Sequence, residues 1–252
     1  MLRRRSFDRD RPVESFKALL RDLMKGYRFD IEGLYRKDGT VLPLPRESSV
    51  VGKVIEISIN DYLRRRLLEI PSLDSIQASS DRVYPDVSFS GSLINPHRFA
   101  LDIKCARVDK KGDKTESAIT IGTFDAEYFR YPSEKVGNIM APYSSYTAHL
   151  ALLALYKYAD ATARDLDLLV VEKWRVATKK RSSGSRCYIA ATKRIAGLRA
   201  EAGGFESEEE FNAYWREVAM DEGKQGRWKS KRESAALKKS RLQDESPGLF
   251  GD

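Results

Sequence analysis

Histidine and cysteine are scarce in this chain of 252 residues, with two of each. His97 and His149 are too far apart in sequence to suggest a histidine-metal centre or a histidine acid-base pair, so both read as structural. Cys105 and Cys187 fit no metal-ligand spacing and cannot supply a disulfide framework, which makes a reducing cytoplasm the natural setting. Hydrophobic runs are also limited. None approaches the length of a membrane span, and Met1-Leu2-Arg3-Arg4-Arg5 leads into charged residues rather than a signal-peptide core. No internal repeat is visible. Hydrophobic residues at 41% and aromatics at 10% suffice for a packed globule, either one large domain or one with a small appendage.

Acidic residues are missing from one long stretch. Between Lys173 and Arg199 there are nine Lys or Arg residues and no Asp or Glu, while the net charge of the whole chain is +8. From Gly223 to Asp252 a further eight basic residues stand against four acidic ones. A charge run is commonly just a solvated face. Acid-free blocks of this length nevertheless point to a polyanion, with nucleic acid the most economical partner. Neither block has the apolar face of a membrane-surface helix.

The spacing of breakers and apolar residues predicts alternating helices and strands. Residues 1–12 read as a basic arm, followed by a helix from Pro12 to about Lys25 carrying Phe16, Leu19, Leu20 and Leu23 on one face. Extended pieces at Phe29–Tyr35 and Thr40–Leu44 are hinged at Lys37-Asp38-Gly39. A long helix runs from about Ser48 to Glu69, and Pro71 stops it. Ser117–Phe124 reads as a strand, Tyr143–Tyr158 as a strongly apolar helix, and Leu166–Trp174 as a central strand. Ala177–Arg199 begins with loop composition. Ser207-Glu208-Glu209-Glu210 is a capping box opening a helix that packs through Phe211, Tyr214, Trp215 and Val218. The fold class expected is mixed α/β, a central mixed sheet flanked by helices.

The chemistry concentrates at Tyr84-Pro85-Asp86 and, sixteen positions after Asp86, at Asp102-Ile103-Lys104. Gly91, Asn95 and Pro96 divide the interval into two extended runs, Val83–Ser90 and Phe99–Val108. Alternation along the second run puts Asp102 and Lys104 on one face and Leu101, Ile103 and Cys105 in the core. If the runs pair, Asp86 lies beside Asp102. Two such carboxylates form a hard-oxygen cradle suited to Mg2+, and a nearby lysine can orient water or hold an anion. That is apparatus for phosphodiester hydrolysis. The same triplet also fits a half-buried hairpin with solvated Asp and Lys, so the rest of the chain has to decide.

Colinear blocks decide it. Asp30–Leu34, Val50–Glu56, Tyr84-Pro85-Asp86, Leu101–Lys104, Thr120-Ile121-Gly122, Tyr146–His149, Glu172-Lys173-Trp174 and Phe205–Phe211 with Tyr214-Trp215-Arg216 together resemble the EcoRV-like type II restriction endonucleases. These belong to the PD-(D/E)xK nuclease superfamily, and the resemblance runs from about Phe16 to Met220. It implies a PD-(D/E)xK core with Asp86, Asp102 and Lys104 as its catalytic trio. It adds Glu56 as a further catalytic and metal-binding carboxylate beside Asp86 and Asp102, although from its sequence position alone Glu56 reads as a surface helix glutamate. The implied organisation is a single nuclease domain over 1–252. Within it, 1–12 form a flexible basic arm, 27–47 a small dimerisation hairpin region, 48–220 the catalytic and recognition core, and 221–252 a basic tail.

The resemblance further places a recognition loop at Ser182, Ser183, Gly184, Ser185 and Arg186, where Arg186 could read guanine or contact phosphate. Lys179, Lys180 and Arg181 are expected at phosphates. Arg82, in a minor-groove loop, and Thr120 complete the expected DNA contacts. Both loops depart from the family pattern, so no target sequence carries over. What is implied is a Mg2+-dependent homodimer in a prokaryotic cytoplasm that cuts a short palindrome in double-stranded DNA with blunt ends. A cognate methyltransferase would protect the same site. The alternatives are a structure-directed repair or junction nuclease with the same core, and a catalytically silent DNA-binding protein.

Overall fold

The computed structural model describes residues 7–182 and 187–224. Ser183, Gly184, Ser185 and Arg186 of the expected recognition loop lie outside them, as do the arm up to residue 6 and the tail from residue 225.

The first half of the chain builds one wall. Helix α1 (Pro12–Leu23) starts on a proline, whose fixed φ suits the first turn. The pieces around Lys37-Asp38-Gly39 form a short hairpin, β1 (Gly33–Tyr35) and β2 (Val41–Pro43). Helix α2 (Ser48–Leu67) follows, burying Val51, Ile55, Ile59, Leu63 and Leu67 at four-residue spacing.

The central sheet has five strands in the order β3 (Asp74–Gln77), β4 (Val87–Ser90), β5 (Phe99–Arg107), β7 (Ala148–Ala159), β8 (Thr162–Glu172). Strands β5 and β7 pair in parallel and the other neighbours are antiparallel. Gly91 closes β4 at φ +114°, where a Cβ would meet Ser72 O and Asp74 N at 2.7 Å. Only glycine lets β3 approach there.

A second sheet of three antiparallel strands joins β6 (Thr120–Thr123), β10 (Tyr188–Ala191) and β9 (Ala177–Arg181). Three short helices accompany it: α3 (Glu127–Arg130), α4 (Lys173–Val176) and α5 (Ile195–Arg199). Helix α6 (Glu208–Lys224) ends the described chain. The capping box at its start is formed in part, since Glu210 N donates to Ser207 Oγ at 3.1 Å. The reciprocal carboxylate takes the Glu206 amide at 2.8 Å instead of the Ser207 amide.

Two cores result, one on each face of the large sheet. On one face α1 and α2 pack onto Leu101, Ile103, Leu150 and Leu152, with Phe16 stacked on Phe99 at 4.1 Å. On the other, Ala151, Leu153 and Leu155 meet the small sheet and α6, where Phe124 stacks on Trp215 at 5.1 Å.

This two-sided burial overturns the helix expected over Tyr143–Tyr158. The segment is strand β7, in the middle of the sheet, with residues 148–156 all buried. A strand covered on both faces loses the polar alternation that marks most strands, and its continuous apolar run is indistinguishable from a buried helix by period. The run ending at Trp174 is likewise an edge strand rather than a central one. Ala177–Arg181, expected as loop, is strand β9. Strand β3 is short and exposed along its length, and its composition gave no signal.

Candidate active site

The β4–β5 hairpin brings the two aspartates together. Its register pairs Val87 with Leu101, which leaves Asp86 opposite Asp102. The Asp86 amide points at Asp102 Oδ1 at 3.4 Å, and the Ile103 amide donates to Asp86 Oδ2 at 2.7 Å. Each carboxylate is thereby tied to the other's strand. Lys104 follows on the same face as Asp102, with Nζ 3.7 Å from Asp86 Oδ2 and 3.7 Å from Asp102 Oδ2.

The electrostatics of this trio are not symmetric. Burial and the neighbouring Asp102 charge both raise the Asp86 carboxyl above its ordinary value, against Lys104. Burial acts the same way on Asp102, but Lys104 and Lys173 outweigh it and hold that carboxyl low. At Lys104 burial opposes the charge, yet Asp102, Asp86 and Glu56 together lift its pKa well above the usual lysine range. Lys104 therefore keeps its proton. Cys105, its neighbour, is pushed up to about 12 by burial and by Glu56, and is no thiolate nucleophile.

The trio lies on the floor of a cleft of about 580 Å³, whose rim includes Asp81, Arg82, Tyr128 and Arg130. Tyr84 forms part of the wall, stacked on Tyr128 at 5.0 Å. Its amide and carbonyl pair with Asn138 and Met140, which pins the loop after α3 to the site.

Glu56 lies on α2, beside the trio without joining it. Its carboxylate pairs with Lys53 at 3.1 Å, and Lys53 reaches Asp81 at 2.7 Å. Among the described residues no group of three or more His, Cys, Asp or Glu side chains is arranged to hold a metal ion. The donor set is thus a pair of carboxylates. It fits a hard divalent cation, because the mutual repulsion that raises Asp86 is what a cation placed between the two would relieve.

The expected DNA contacts are dispersed. Arg82 is exposed on the cleft rim. Thr120 Oγ1 and Ser182 Oγ hydrogen-bond at 2.8 Å and tie β6 to the base of the loop that starts at Ser182. Lys180 is exposed. Lys179 bridges to Glu210 at 2.9 Å, and Arg181 pairs with Glu222 over the Phe124 ring.

Two further residues at the site were not expected to act there. Lys173 is buried and bonds Asp102 Oδ2. His149, expected as structural, is buried between Tyr84 and Tyr143. A lysine two positions after the apolar run 168–171 gives only a faint sign, since strand ends are usually solvated.

Against known proteins, a family model described as "Restriction endonuclease EcoRV" matches residues 25–239, most of the chain. The chain belongs to the EcoRV restriction endonuclease family. Within the family it is similar to the type II restriction enzyme EcoRV of Escherichia coli, 21% identical over 208 residues covering 75% of this chain and 82% of that one. A solved structure of the NlaIV restriction endonuclease aligns with a TM-score of 0.46 and 14% identity, over 80% of this chain and 76% of that one. As a member of the EcoRV family the chain is a type II deoxyribonuclease, and enzymes of this kind generally depend on a divalent metal.

Proposed function

We propose that this EcoRV-family enzyme is a Mg2+-dependent homodimer that hydrolyses both strands of duplex DNA at a short palindrome, leaving blunt ends. The observation that carries the proposal is the pairing of Asp86 with Asp102 beside Lys104, at the floor of an open cleft.

Asp86 and Asp102 would hold Mg2+, with Glu56 a further carboxylate close enough for its charge to act on Asp86. When bound, the cation supplies Lewis acidity at the phosphate and makes water a stronger acid. The remaining work falls to the protein. Without positive charge, two carboxylates would repel a phosphodiester; Lys104 offsets one of them and offers its ammonium to a non-bridging oxygen as negative charge grows there. Because it stays protonated, Lys104 orients the attacking water rather than deprotonating it. Tyr84 and Tyr128 wall the cleft and limit bulk water on that side.

Dimerisation is supported by exposed apolar side chains. The β1–β2 hairpin presents Leu34, Tyr35, Val41 and Leu42 to solvent, and α2 presents Ile57, 59% exposed. A two-fold dimer through this region would display each recognition loop twice, which suits a palindrome. In this reading residues 1–252 make one nuclease domain, with 27–47 as the dimerisation part and the tail from 221 adding positive charge. The loop from Ser182 to Arg186 would read bases, with Lys179, Lys180, Arg181, Arg82 and Thr120 near the backbone. A DNA methyltransferase of the same specificity would protect the host, in a prokaryotic cytoplasm.

The test is incubation of the purified protein with unmethylated plasmid and phage DNA in Mg2+. Sharp, reproducible fragments that vanish with EDTA are expected, and sequencing their ends gives target and cut geometry. A smear or nicks alone would instead indicate a nuclease that recognises DNA structure. Tight binding without cleavage on DNA of full sequence complexity would indicate a silent core.

A further inference from the structure

Two lysines reach Asp102. Lys104 comes from the same strand and is partly open to the cleft. Lys173 comes from the other end of the sheet, at the first residue of α4, and is 5% exposed. Its Nζ bonds Asp102 Oδ2 and sits 4.4 Å from the centre of the Tyr84 ring. Tyr84 in turn is fixed by its hydroxyl contact to His149 Nδ1 at 2.6 Å.

The turn that aims Lys173 is anchored independently. Glu172 points away from the site, accepting from Trp174 Nε1 at 3.0 Å and Arg175 Nε at 2.7 Å, with Lys17 of α1 at 3.7 Å. Adjacent residues thus send opposite charges in opposite directions. A sealed ammonium is costly unless paired, and a buried pair contributes little net stability over apolar packing. A lysine in this place is better explained by what it does to Asp102.

The oxygens indicate what that is. With Oδ2 taken by Lys173, Asp102 keeps Oδ1, whose contact to the Asp86 amide at 3.4 Å is long for a hydrogen bond. Asp86 commits Oδ2 to the Ile103 amide and keeps its own Oδ1. Among the described residues, Asp86 Oδ1 has no hydrogen-bond partner and Asp102 Oδ1 only that long contact, so one oxygen of each carboxylate can turn to a shared ligand. Burial lowers the Lys173 pKa and the Asp102 carboxylate opposes that; with its proton kept, two carboxylates stand against two ammonium groups before any cation arrives.

We infer that Lys173 is a positioning residue that fixes Asp102 through Oδ2, leaves Oδ1 for the cation, and weakens cation binding by offsetting one of the two negative charges. This rests on the metal-nuclease reading above. Repulsion between an ammonium and a divalent cation a few ångströms apart exceeds thermal energy several-fold even in a well-screened site. Removing it should therefore strengthen binding by about tenfold or more.

The experiment compares wild type, Lys173→Met and Lys173→Gln in the full chain. Cation affinity is read from the Ca2+ dependence of Tm, without turnover, and the cleavage rate from single-turnover digestion in saturating Mg2+. Lys173→Met should bind Ca2+ about tenfold more tightly or better, yet cleave at least about tenfold more slowly. Lys173→Gln, which keeps an N–H donor without the charge, should retain the tighter binding and recover part of the rate. If Lys173→Met does not fold, Lys173→Gln against wild type carries the same comparison. A lower Tm with unchanged Ca2+ affinity and unchanged rate would make Lys173 a packing residue and overturn the inference. Wild type that neither responds to Ca2+ nor cleaves would overturn the metal-nuclease reading, and this inference with it.

Discussion

Replacing His149 by glutamine should remove a contribution to stability that drains away between pH 7.5 and pH 5. The imidazole is buried, its ring 3.7 Å from that of Tyr143. Nε2 faces the Tyr143 carbonyl at 3.1 Å, which can only accept, so Nε2 carries the proton. Nδ1 then accepts from the Tyr84 hydroxyl. Both nitrogens are used in the neutral form, and a second proton has nowhere to go. Burial first, then the Lys173 charge, lower the pKa from 6.5 to about 3; Arg216 acts in the same direction and Asp102 against it.

The sign follows from the two states. Below pH 6.5 the unfolded imidazole takes up a proton, while the folded one does not until about pH 3. This group's contribution is therefore complete above pH 6.5 and drains away as the pH falls toward 3. At pH 5 the loss is about 2 kcal/mol. Glu208 works the other way. Burial and the charges of Glu172 and Glu209 raise its carboxyl from 4.5 to about 7, so the folded state binds that proton first on acidification. Only the difference between variants isolates His149. Urea unfolding at fixed protein concentration, at both pH values, should show wild type losing about 2 kcal/mol more than His149→Gln. Equal losses would mean that the imidazole is not held neutral by its surroundings.

Three further outcomes are expected. Asp86→Ala and Lys104→Met should each lower cleavage at least about 10²–10³-fold while DNA binding in Ca2+ persists, as gel shift and digestion would show; near-wild-type cutting by either removes it from the centre. The pair Tyr35→Asp and Leu42→Asp should convert a dimer to monomer in sedimentation velocity without changing the circular dichroism spectrum, and an intact dimer would place the interface elsewhere. Leu152→Ala, in the middle of β7 with 1% exposure, should cost about 2–5 kcal/mol in urea unfolding. A cost below about 1 kcal/mol would contradict the two-sided burial of that strand.

What could be read from the sequence divides by range. The Asp86–Asp102–Lys104 arrangement was legible because the hairpin that makes it is local, with breakers between its arms and alternation along β5. Helices α1 and α2 were legible because each buries one stripe and exposes the rest. Strand β7 was not, because burial on both faces erased its period. Lys173 was not, because its partner lies 71 residues away and reaches it only through the pairing of β5 with β7 and β7 with β8. Lys179 and Arg181 show the converse. Their sequence context suggested free cations, but Glu210 and Glu222 of α6 engage both, and DNA would have to compete with those carboxylates.

The parallel pairing of β5 with β7 also bears on when the protein becomes dangerous to its host. Asp102 lies beside Ala151 in that pairing, so a long intervening stretch must be made and placed before β5 has its neighbour. Parallel strands joined by so long a connection form late, because the entropy of closing the loop precedes any gain from contact. The hairpin carrying both aspartates can close early, but alone it is an edge exposed to water, with neither cleft nor buried surroundings to give its charges strength. A chain still emerging from the ribosome thus holds Asp86 and Asp102 without the surroundings of the finished cleft. The ability to cut DNA arrives only with the completed sheet.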